Sequence, residues 1–338
     1  MGAGLKGDDE SYSRIKDIHI EVCLHREVEA RRANGFEDVQ LLPGFPTFSR
    51  KDIDTTVDFL GRKLSLPLLI SPITGGGRQS ARINRNLATA AEHLGIAMAV
   101  GSERPMLERR VPSDSYLVRD CAPTIPLVAN LGLVHAKRGS DYLREAVTAI
   151  GADAITLYVN PLHEILQEEG EIDYDGALEA LEQILPDFPY PVLLKEVGTG
   201  LPASILAWAG KSKVAGVDVA GLGGTNWARI EGIIQGRDYS AYEGLGTRTL
   251  DALLIARDCL RGDQWLIASG GLRTGVDMAK AYALGSGMVS MALPFVRWAN
   301  ASSDEVIRGV EKLKEELVVA MWFSGARTIA DLKGKTDH

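Results

Sequence analysis

The stretch QWLIASGGLRTGVDMAKAYALGSGMVSMALP, residues 264–294, contains one complete unit of the predicted fold. It begins with a short apolar run, passes through a glycine-rich turn into an amphipathic segment, and ends in a second apolar run. Short apolar runs bounded by turn residues indicate buried strands, and a helix between two of them is typical of a parallel βαβ unit. We therefore predict two parallel strands joined by a helix.

The same alternation of strand and helix extends back along the chain. Six earlier apolar runs read LPLLISPI (66–73), IAMAVGS (96–102), PLVANLG (126–132), DAITLYVN (153–160), PVLLKEVG (191–198) and GVDVAG (216–221). With the two runs of the first stretch they make eight, the number that closes a parallel barrel. Their nearly continuous apolar character fits burial on both sides. We predict an α/β fold, a (β/α)₈ TIM barrel; an open doubly wound sheet is the alternative.

Segments on either side of the barrel complete one predicted domain. The N-terminal extension, residues 1–65, contains a predicted helix in 14–30 and an alternating stretch, 53–67, that predicts a hairpin around Gly61 at the floor of the barrel. The barrel spans 66–323. Its last helix is expected to end near Phe323, before a C-terminal tail, 324–338.

Charge and composition narrow the classes of function. The net charge is −8 and the pI about 5.4, which argues against a nucleic-acid binder. No apolar run is long enough to span a bilayer, and the start MGAGLKGDDESYSR resembles no secretion signal. The three cysteines are widely spaced and predict free thiols. We expect a cytoplasmic protein whose partner is a small molecule.

The carboxyl ends of the strands are where a barrel binds its ligand. The segments 220–225 and 269–273 are glycine-rich and lead towards helices, a pattern that predicts a phosphate-binding cradle. Lys195 ends an otherwise apolar strand, where an unpaired lysine is costly to bury. We expect it to face a ligand, with an ion pair to Glu196 as the alternative. These features favour a phosphorylated cofactor.

The motifs of the chain resemble the type 2 isopentenyl-diphosphate isomerases, FMN-dependent barrel enzymes, from about Arg14 to Leu332. The resemblance rests on GFED (35–38), FLGRKLSLPLLISPITGG (59–76), NRNLATAAEHLGIAMAVGSER (84–104), ANLG (129–132), NPLHEILQEEGEID (160–173), KEVGTG (195–200), GLGGTNWARIE (221–231) and IASGGLRTGVDMAKAYALGSGMVSMALPF (267–295). These motifs occur in the family's order and at suitable spacing.

The resemblance implies a set of FMN contacts. Along the isoalloxazine ring would lie Pro72, Ile73 and Thr74, and at its polar edge Ser102, Asn130 and Lys195. A cation at that edge stabilises the anionic reduced flavin. The ribityl phosphate would be held by Ala220, Thr225, Gly271, Leu272, Arg273, Ala292 and Leu293.

The substrate side departs from the family pattern. Where the family has an adjacent Arg-Lys pair, this chain reads Arg14-Ile15-Lys16, and Gly-Ser-Gln-Arg becomes Gly-Ser-Glu-Arg, with Glu103 adding an expected negative charge. The family's His-Leu-Asn and Gln-Glu become Tyr158-Val159-Asn160 and His163-Glu164. The resemblance still implies a substrate site and a catalytic set at these positions, with Mg²⁺ on Glu164. The substrate set is Arg14, Lys16, Arg104 and His163, and the catalytic set is Tyr158, Asn160, His163 and Glu164.

The implied activity is conversion of isopentenyl diphosphate to dimethylallyl diphosphate by reduced FMN, with NADPH needed only to reduce the flavin. A homo-oligomer, tetramer or octamer, is also implied. His163 either replaces the family's Gln as a proton donor or is a solvated loop residue. The altered residues leave two alternatives open: a related flavoenzyme with another substrate, or a non-catalytic flavin binder.

The loop sequences do not match two other classes of barrel enzyme that bind FMN or a nucleotide. The α-hydroxy-acid oxidases place a general-base histidine before their glycine pair, and residues 220–225 contain none. The inosinate dehydrogenases need a nucleophilic cysteine, which GLGTRTLDA (244–252) lacks.

Overall fold

An N-terminal helix and a β-hairpin precede a closed barrel in the computed structural model, which describes residues 5–167 and 170–338. Helix α1 spans Leu5–His25, and the hairpin consists of β1 (Val57–Phe59) and β2 (Arg62–Leu64). Leu60 and Gly61 both have positive φ, 50° and 75°, as a two-residue hairpin turn requires. Residues 1–4 of the predicted extension, and 168 and 169 of the motif at 160–173, lie outside the described residues.

Eight parallel strands form the barrel, and the last of them, β10, pairs with both β3 and β9. This closure confirms the predicted (β/α)₈ barrel and rules out an open sheet. Each predicted apolar run contains one of the strands. Their bounds are β3 Leu68–Ile70, β4 Ala97–Ala99, β5 Leu127–Gly132, β6 Ala154–Tyr158, β7 Val192–Lys195, β8 Gly216–Asp218, β9 Trp265–Ala268 and β10 Met288–Met291.

Helices surround the barrel and turn their apolar faces towards it. They are α2 Ser80–Leu94, α3 Arg104–Leu107, α4 Ser140–Ala149, α5 Pro161–Leu166, α6 Ala177–Ile184, α7 Ala203–Lys211, α8 Trp227–Gln235, α9 Thr249–Cys259, α10 Gly275–Ala283, α11 Leu293–Ala301 and α12 Ser303–Phe323. The last helix ends at the predicted residue. None of the helices among the described residues is long and apolar enough to cross a lipid bilayer.

The hairpin closes one end of the barrel. Phe59 and Leu64 are fully buried among side chains that point into the barrel interior, including Leu69 and Leu193, and the ring of Phe59 meets that of Trp265 edge-on at 5.0 Å. Trp265 begins β9, so the hairpin covers the amino ends of the strands, as predicted. The carboxyl ends are left for a ligand.

The last fifteen residues pack against the N-terminal extension. Thr336 bridges to Leu41 and Thr328 to Asp54, while Leu332 is fully buried. The predicted tail is thus an ordered part of the same core. The three cysteines are free thiols, as predicted, and each is partly exposed.

Candidate functional site

A cavity lies at the carboxyl ends of the barrel strands, with an empty volume of about 1070 Å³ that includes its open mouth. Most of the predicted cofactor residues line it: Pro72, Ile73, Thr74, Lys195, Ala220, Thr225, Gly271, Leu272, Arg273, Ala292 and Leu293. From the predicted substrate set, Lys16 on α1 and His163 on α5 also line the cavity. The two sets therefore share one space.

Two glycine-rich loops form one end of the cavity and approach each other too closely for side chains. A Cβ on Gly271 would lie 2.2 Å from the carbonyl oxygen of Gly223, and one on Gly224 would lie 2.6 Å from the nitrogen of Gly271. Gly271 also has a φ of 80°, which favours glycine. This end, which we call the glycine cradle (residues 220–225 and 269–273), leads to the N-terminus of α10 and suits a phosphate.

Lys195 is buried in the wall of the cavity. Its Nζ donates to Oδ2 of Asp218 at 3.0 Å, and the other oxygen of Asp218 accepts from the Ser269 hydroxyl. The alternative ion pair with Glu196 is wrong. The Glu196 carboxylate instead accepts backbone N–H groups of the loop that follows β7, among them that of Gly200 at 3.0 Å.

Three predicted residues lie close together outside the cavity lining. The Tyr158 hydroxyl is 3.4 Å from Oγ of Ser102. Asn130 is buried, and its Oδ1 has no hydrogen-bond partner among the described residues. An unsatisfied buried acceptor is costly unless a ligand supplies a donor.

Glu103, which was expected to add negative charge on the substrate side, does not line the cavity. Its side chain is fully buried, and Oε1 accepts the backbone N–H of Asn130 at 2.9 Å. Burial raises the pKa of Glu103 well above its usual value, since an ionised carboxylate is poorly solvated there. Burial therefore disfavours the negative charge that the sequence suggested at this position.

Two histidines and a glutamate meet where α1, α5 and α8 converge. Nε2 of His19 and Nε2 of His163 each lie 2.9 Å from Oε1 of Glu231. The His163 ring stacks on the indole of Trp227 with centroids 4.1 Å apart. We call His19, His163 and Glu231 the His-His-Glu cluster.

The electrostatics of the His-His-Glu cluster give neutral imidazoles and an ionised carboxylate. Burial lowers the pKa of His163 to about 4 and also lowers that of His19. Burial alone would raise the pKa of Glu231, but hydrogen bonds from the two imidazoles hold it below its usual range. Lys16 opposes protonation of both histidines by its own charge.

The other predicted substrate and catalytic residues lie outside the cavity lining. Nδ2 of Asn160 is 2.9 Å from Nδ1 of His163. Glu164 is partly exposed and accepts the backbone N–H of Glu171 at 2.8 Å. Arg104 pairs with the Glu171 carboxylate at 2.9 Å, and Arg14 is exposed to solvent.

The sequence analysis missed four residues of the site: His19, Asp218, Trp227 and Glu231. His19 follows Lys16 by three residues, which places the two on one face of α1. Glu231 follows Trp227 by four residues on α8 and is buried, which is rare for a glutamate without a partner. The helical spacing was the available signal in both cases.

Comparisons with known proteins agree with this architecture. The model of the FMN-dependent dehydrogenase family matches residues 19–160 and 166–337. The isopentenyl-diphosphate delta-isomerase of Pyrococcus furiosus is 39% identical over 335 residues, covering 93% of this chain and 84% of that protein. The isopentenyl-diphosphate delta-isomerase of Paracoccus zeaxanthinifaciens is 43% identical over 315 residues, covering 90% of each. A crystal structure of a mandelate oxidase variant with 2-hydroxy-phenylacetamide has a TM-score of 0.66 at 20% identity, covering 98% of this chain and 97% of that one, a likeness of fold.

Proposed function

The chain belongs to the isopentenyl-diphosphate delta-isomerase family, within the FMN-dependent dehydrogenases, and from this membership we propose that it converts isopentenyl diphosphate to dimethylallyl diphosphate. The observation that supports this function best is the single cavity shared by the glycine cradle and by Lys16, His19 and His163. The glycine cradle at one end of the cavity suits a cofactor phosphate. Lys16, at the other end, supplies a cation that suits a substrate phosphate.

The residues present fit FMN. The cradle excludes any Cβ between its two loops, and the unsatisfied Oδ1 of Asn130 can accept a ring N–H. We propose that Pro72, Ile73 and Thr74 lie along the ring. Its polar edge would meet Ser102, Asn130 and Lys195, and the phosphate would meet Ala220, Thr225, Gly271, Leu272, Arg273, Ala292 and Leu293. When bound and reduced, FMN would supply the proton transfers at the allylic carbons, with NADPH needed only for its reduction.

The chain's own residues would bind and orient the substrate. Lys16 supplies a cation in the cavity wall, and His163 supplies an imidazole held in place by the stacked Trp227. Lys195, which pairs with Asp218, would place its ammonium group at the polar edge of the ring. We propose that Tyr158, Asn160 and Arg104 also belong to this site. None of the three lines the cavity, so each would act through a residue that does.

Glu164 and Glu171 form a donor set that suits Mg²⁺. The two carboxylates are close enough for Glu171 to raise the pKa of Glu164, after the larger effect of burial. Hard oxygen ligands are those that Mg²⁺ prefers. We propose that Glu164 holds the ion on the diphosphate side. Glu164→Gln should abolish Mg²⁺-dependent turnover and leave FMN bound; unchanged turnover would exclude this assignment.

The decisive experiment follows hydrogen exchange. The reduced FMN protein is incubated with isopentenyl diphosphate and Mg²⁺ in D₂O, and deuterium is measured in dimethylallyl diphosphate. We expect incorporation with reduced flavin and none with oxidised flavin. A protein that binds FMN but gives no labelled product would exclude the isomerase, and one that takes up no FMN would exclude the cofactor.

A second candidate function is the same flavin chemistry on a different substrate. Ile15, at a position where the family has a cation, is 44% exposed, and Tyr158 contacts Ser102 where the family has a histidine. If this reading holds, the parent protein should give almost no labelled product. The triple change Ile15→Arg, Tyr158→His and His163→Gln should then create isomerisation. A chain that binds FMN without turning over any prenyl diphosphate would be a non-catalytic flavin binder.

We also propose a cytoplasmic homo-oligomer, a tetramer or octamer. Three free thiols fit a reducing compartment. Light scattering of the purified FMN protein measures the assembly, and a monomeric mass would exclude it.

A further inference from the structure

We propose that His19, His163 and Glu231 bind a transition-metal ion of the zinc class at the side of the cavity that His19 and His163 line. One ligand atom from each residue lies within 4.8 Å of the other two. This site is separate from the Mg²⁺ proposed on Glu164, and its formation does not depend on the proposed function.

The donor set selects the kind of ion. Two imidazoles and one carboxylate are the ligands found in open, catalytic zinc sites. Imidazole nitrogen suits zinc, cobalt and nickel, whereas magnesium favours oxygen alone. Metal–ligand bonds of about 2.0–2.1 Å in a tetrahedral site place ligand atoms about 3.3 Å apart. The two Nε2–Oε1 distances are 2.9 Å, so each of these pairs needs to separate by only a few tenths of an ångström, while the three ligand atoms all lie within 4.8 Å of one another. The Gln167 side-chain amide, which also contacts Nε2 of His163, must move aside for the ion.

Neighbouring side chains already orient the ligands. Metal-bound imidazoles usually use their second nitrogen to donate to a fixed acceptor. Asn160 lies 2.9 Å from Nδ1 of His163, and its amide oxygen can take that place by rotation of the side-chain amide. Gln235 donates to Oε2 of Glu231 at 3.1 Å, which leaves Oε1 for the ion.

The three ligand side chains already meet at one atom, because both imidazoles contact Oε1 of Glu231. His163 is also the ligand that distinguishes this chain, because the resembling family has glutamine there, and a glutamine amide is a weaker ligand for zinc.

The free coordination position faces the cavity. His19 and His163 both line it, and so does Lys16. A divalent ion with one carboxylate has a net charge of +1, and Lys16 adds a second positive charge. This combination favours an anionic oxygen as the fourth ligand. If the proposed function holds, that oxygen belongs to the substrate diphosphate, and the ion replaces the cation absent at Ile15.

Metal titration of the FMN-loaded protein tests the site. After dialysis against a chelator, Co²⁺ is added and its ligand-field bands are read at wavelengths beyond the flavin absorption, while Zn²⁺ binding is measured by calorimetry. We expect one equivalent of each, with no displacement by excess Mg²⁺. His163→Gln, which installs the family residue, should weaken binding at least about a hundredfold. His25→Gln changes an exposed histidine on α1, the helix that carries His19, and should leave binding unchanged.

Two results would overturn the proposal: no stoichiometric Co²⁺ or Zn²⁺ binding by the parent, or equal affinity in His163→Gln. Retained flavin absorbance shows that a variant is folded. If His163→Gln does not fold, the isosteric Glu231→Gln must show the same loss of affinity. Metal binding without isomerisation would refute the proposed function and leave the metal site intact.

Discussion

The two ends of the cavity are built from different parts of the chain. The glycine cradle is formed by backbone at the ends of β8 and β9, and its close approaches exclude side chains. The His-His-Glu cluster is formed by side chains on three helices. A backbone site depends on the barrel itself, whereas a side-chain site changes with single substitutions. The departure from the resembling family at His163 is such a substitution, whereas both cradle loops keep the family's motifs.

Removing the charge of Lys195 should have the largest effect, because that residue lies in the strand-built end. Lys195→Met would leave Asp218 buried with its ammonium partner gone, which costs about 3–5 kcal/mol of unfolding free energy. The double variant Lys195→Met/Asp218→Asn should recover most of that loss. Urea unfolding of the FMN-free protein measures both. A double variant as unstable as the single one would show that the ion pair is not the cause.

Gly271→Ala should weaken FMN binding by about 3 kcal/mol, on the order of a hundredfold in Kd. Its Cβ would meet the Gly223 carbonyl at 2.2 Å in a backbone conformation with a φ of 80°, so the cradle must open. Quenching of flavin fluorescence measures the affinity. The matched control is Gly262→Ala, an exposed position with no atom within 4 Å of a new Cβ. Equal affinity in both variants would mean that the cradle does not hold the cofactor.

The strand-built end was largely predictable from sequence and the helix-built end was not. Buried strands and glycine turns are local patterns, so all eight barrel strands and both cradle loops were found. Lys195 was recognised as buried, but its partner Asp218 is 23 residues away and opposite it in the register of β7 and β8. Such pairing depends on which strands become neighbours.

The His-His-Glu cluster could not be predicted because it depends on how helices pack. His19 and Glu231 are 212 residues apart, and neither belongs to a motif that requires the other. Glu103 shows the converse problem: the local sequence suggests an exposed charge, but only the tertiary structure shows that the side chain is buried, where its pKa is raised. The departures from the family pattern were visible in the sequence. The burial and the contacts of the substituted side chains were not.

The helix-built end should make stability depend on pH. The imidazole of His163 takes up a proton below about pH 6.5 when unfolded, but only below about pH 4 when folded. The folded state thus binds fewer protons between these values, and stability falls as the pH is lowered through them. We expect His163 to contribute about 2–3 kcal/mol to this loss.

Thermal unfolding of the parent and of His163→Gln between pH 7.5 and 4 measures this contribution. The variant should lose less stability on acidification, because glutamine does not titrate. His93→Gln, an exposed position on α2, should follow the parent curve. Parallel curves for the parent and His163→Gln would show that the buried imidazole is not kept neutral by the fold.

Glu103 belongs to neither end of the cavity. We expect its substitution to change stability less than the substitutions at the two ends. Its pKa is raised in the folded state, so folding is coupled to proton uptake between the unfolded value of 4.5 and the higher folded pKa. Its contribution to stability is fully present below pH 4.5 and is lost as the pH rises.

Glu103→Gln needs no proton, and its amide oxygen can still accept the Asn130 N–H. We therefore expect the stability of the variant relative to the parent to increase as the pH is raised above 4.5. Measuring Tm across this range for both proteins decides the point. A parent that is more stable at every pH would mean that Glu103 is ionised and paired. The expectation that Glu103 adds a negative charge on the substrate side would then hold.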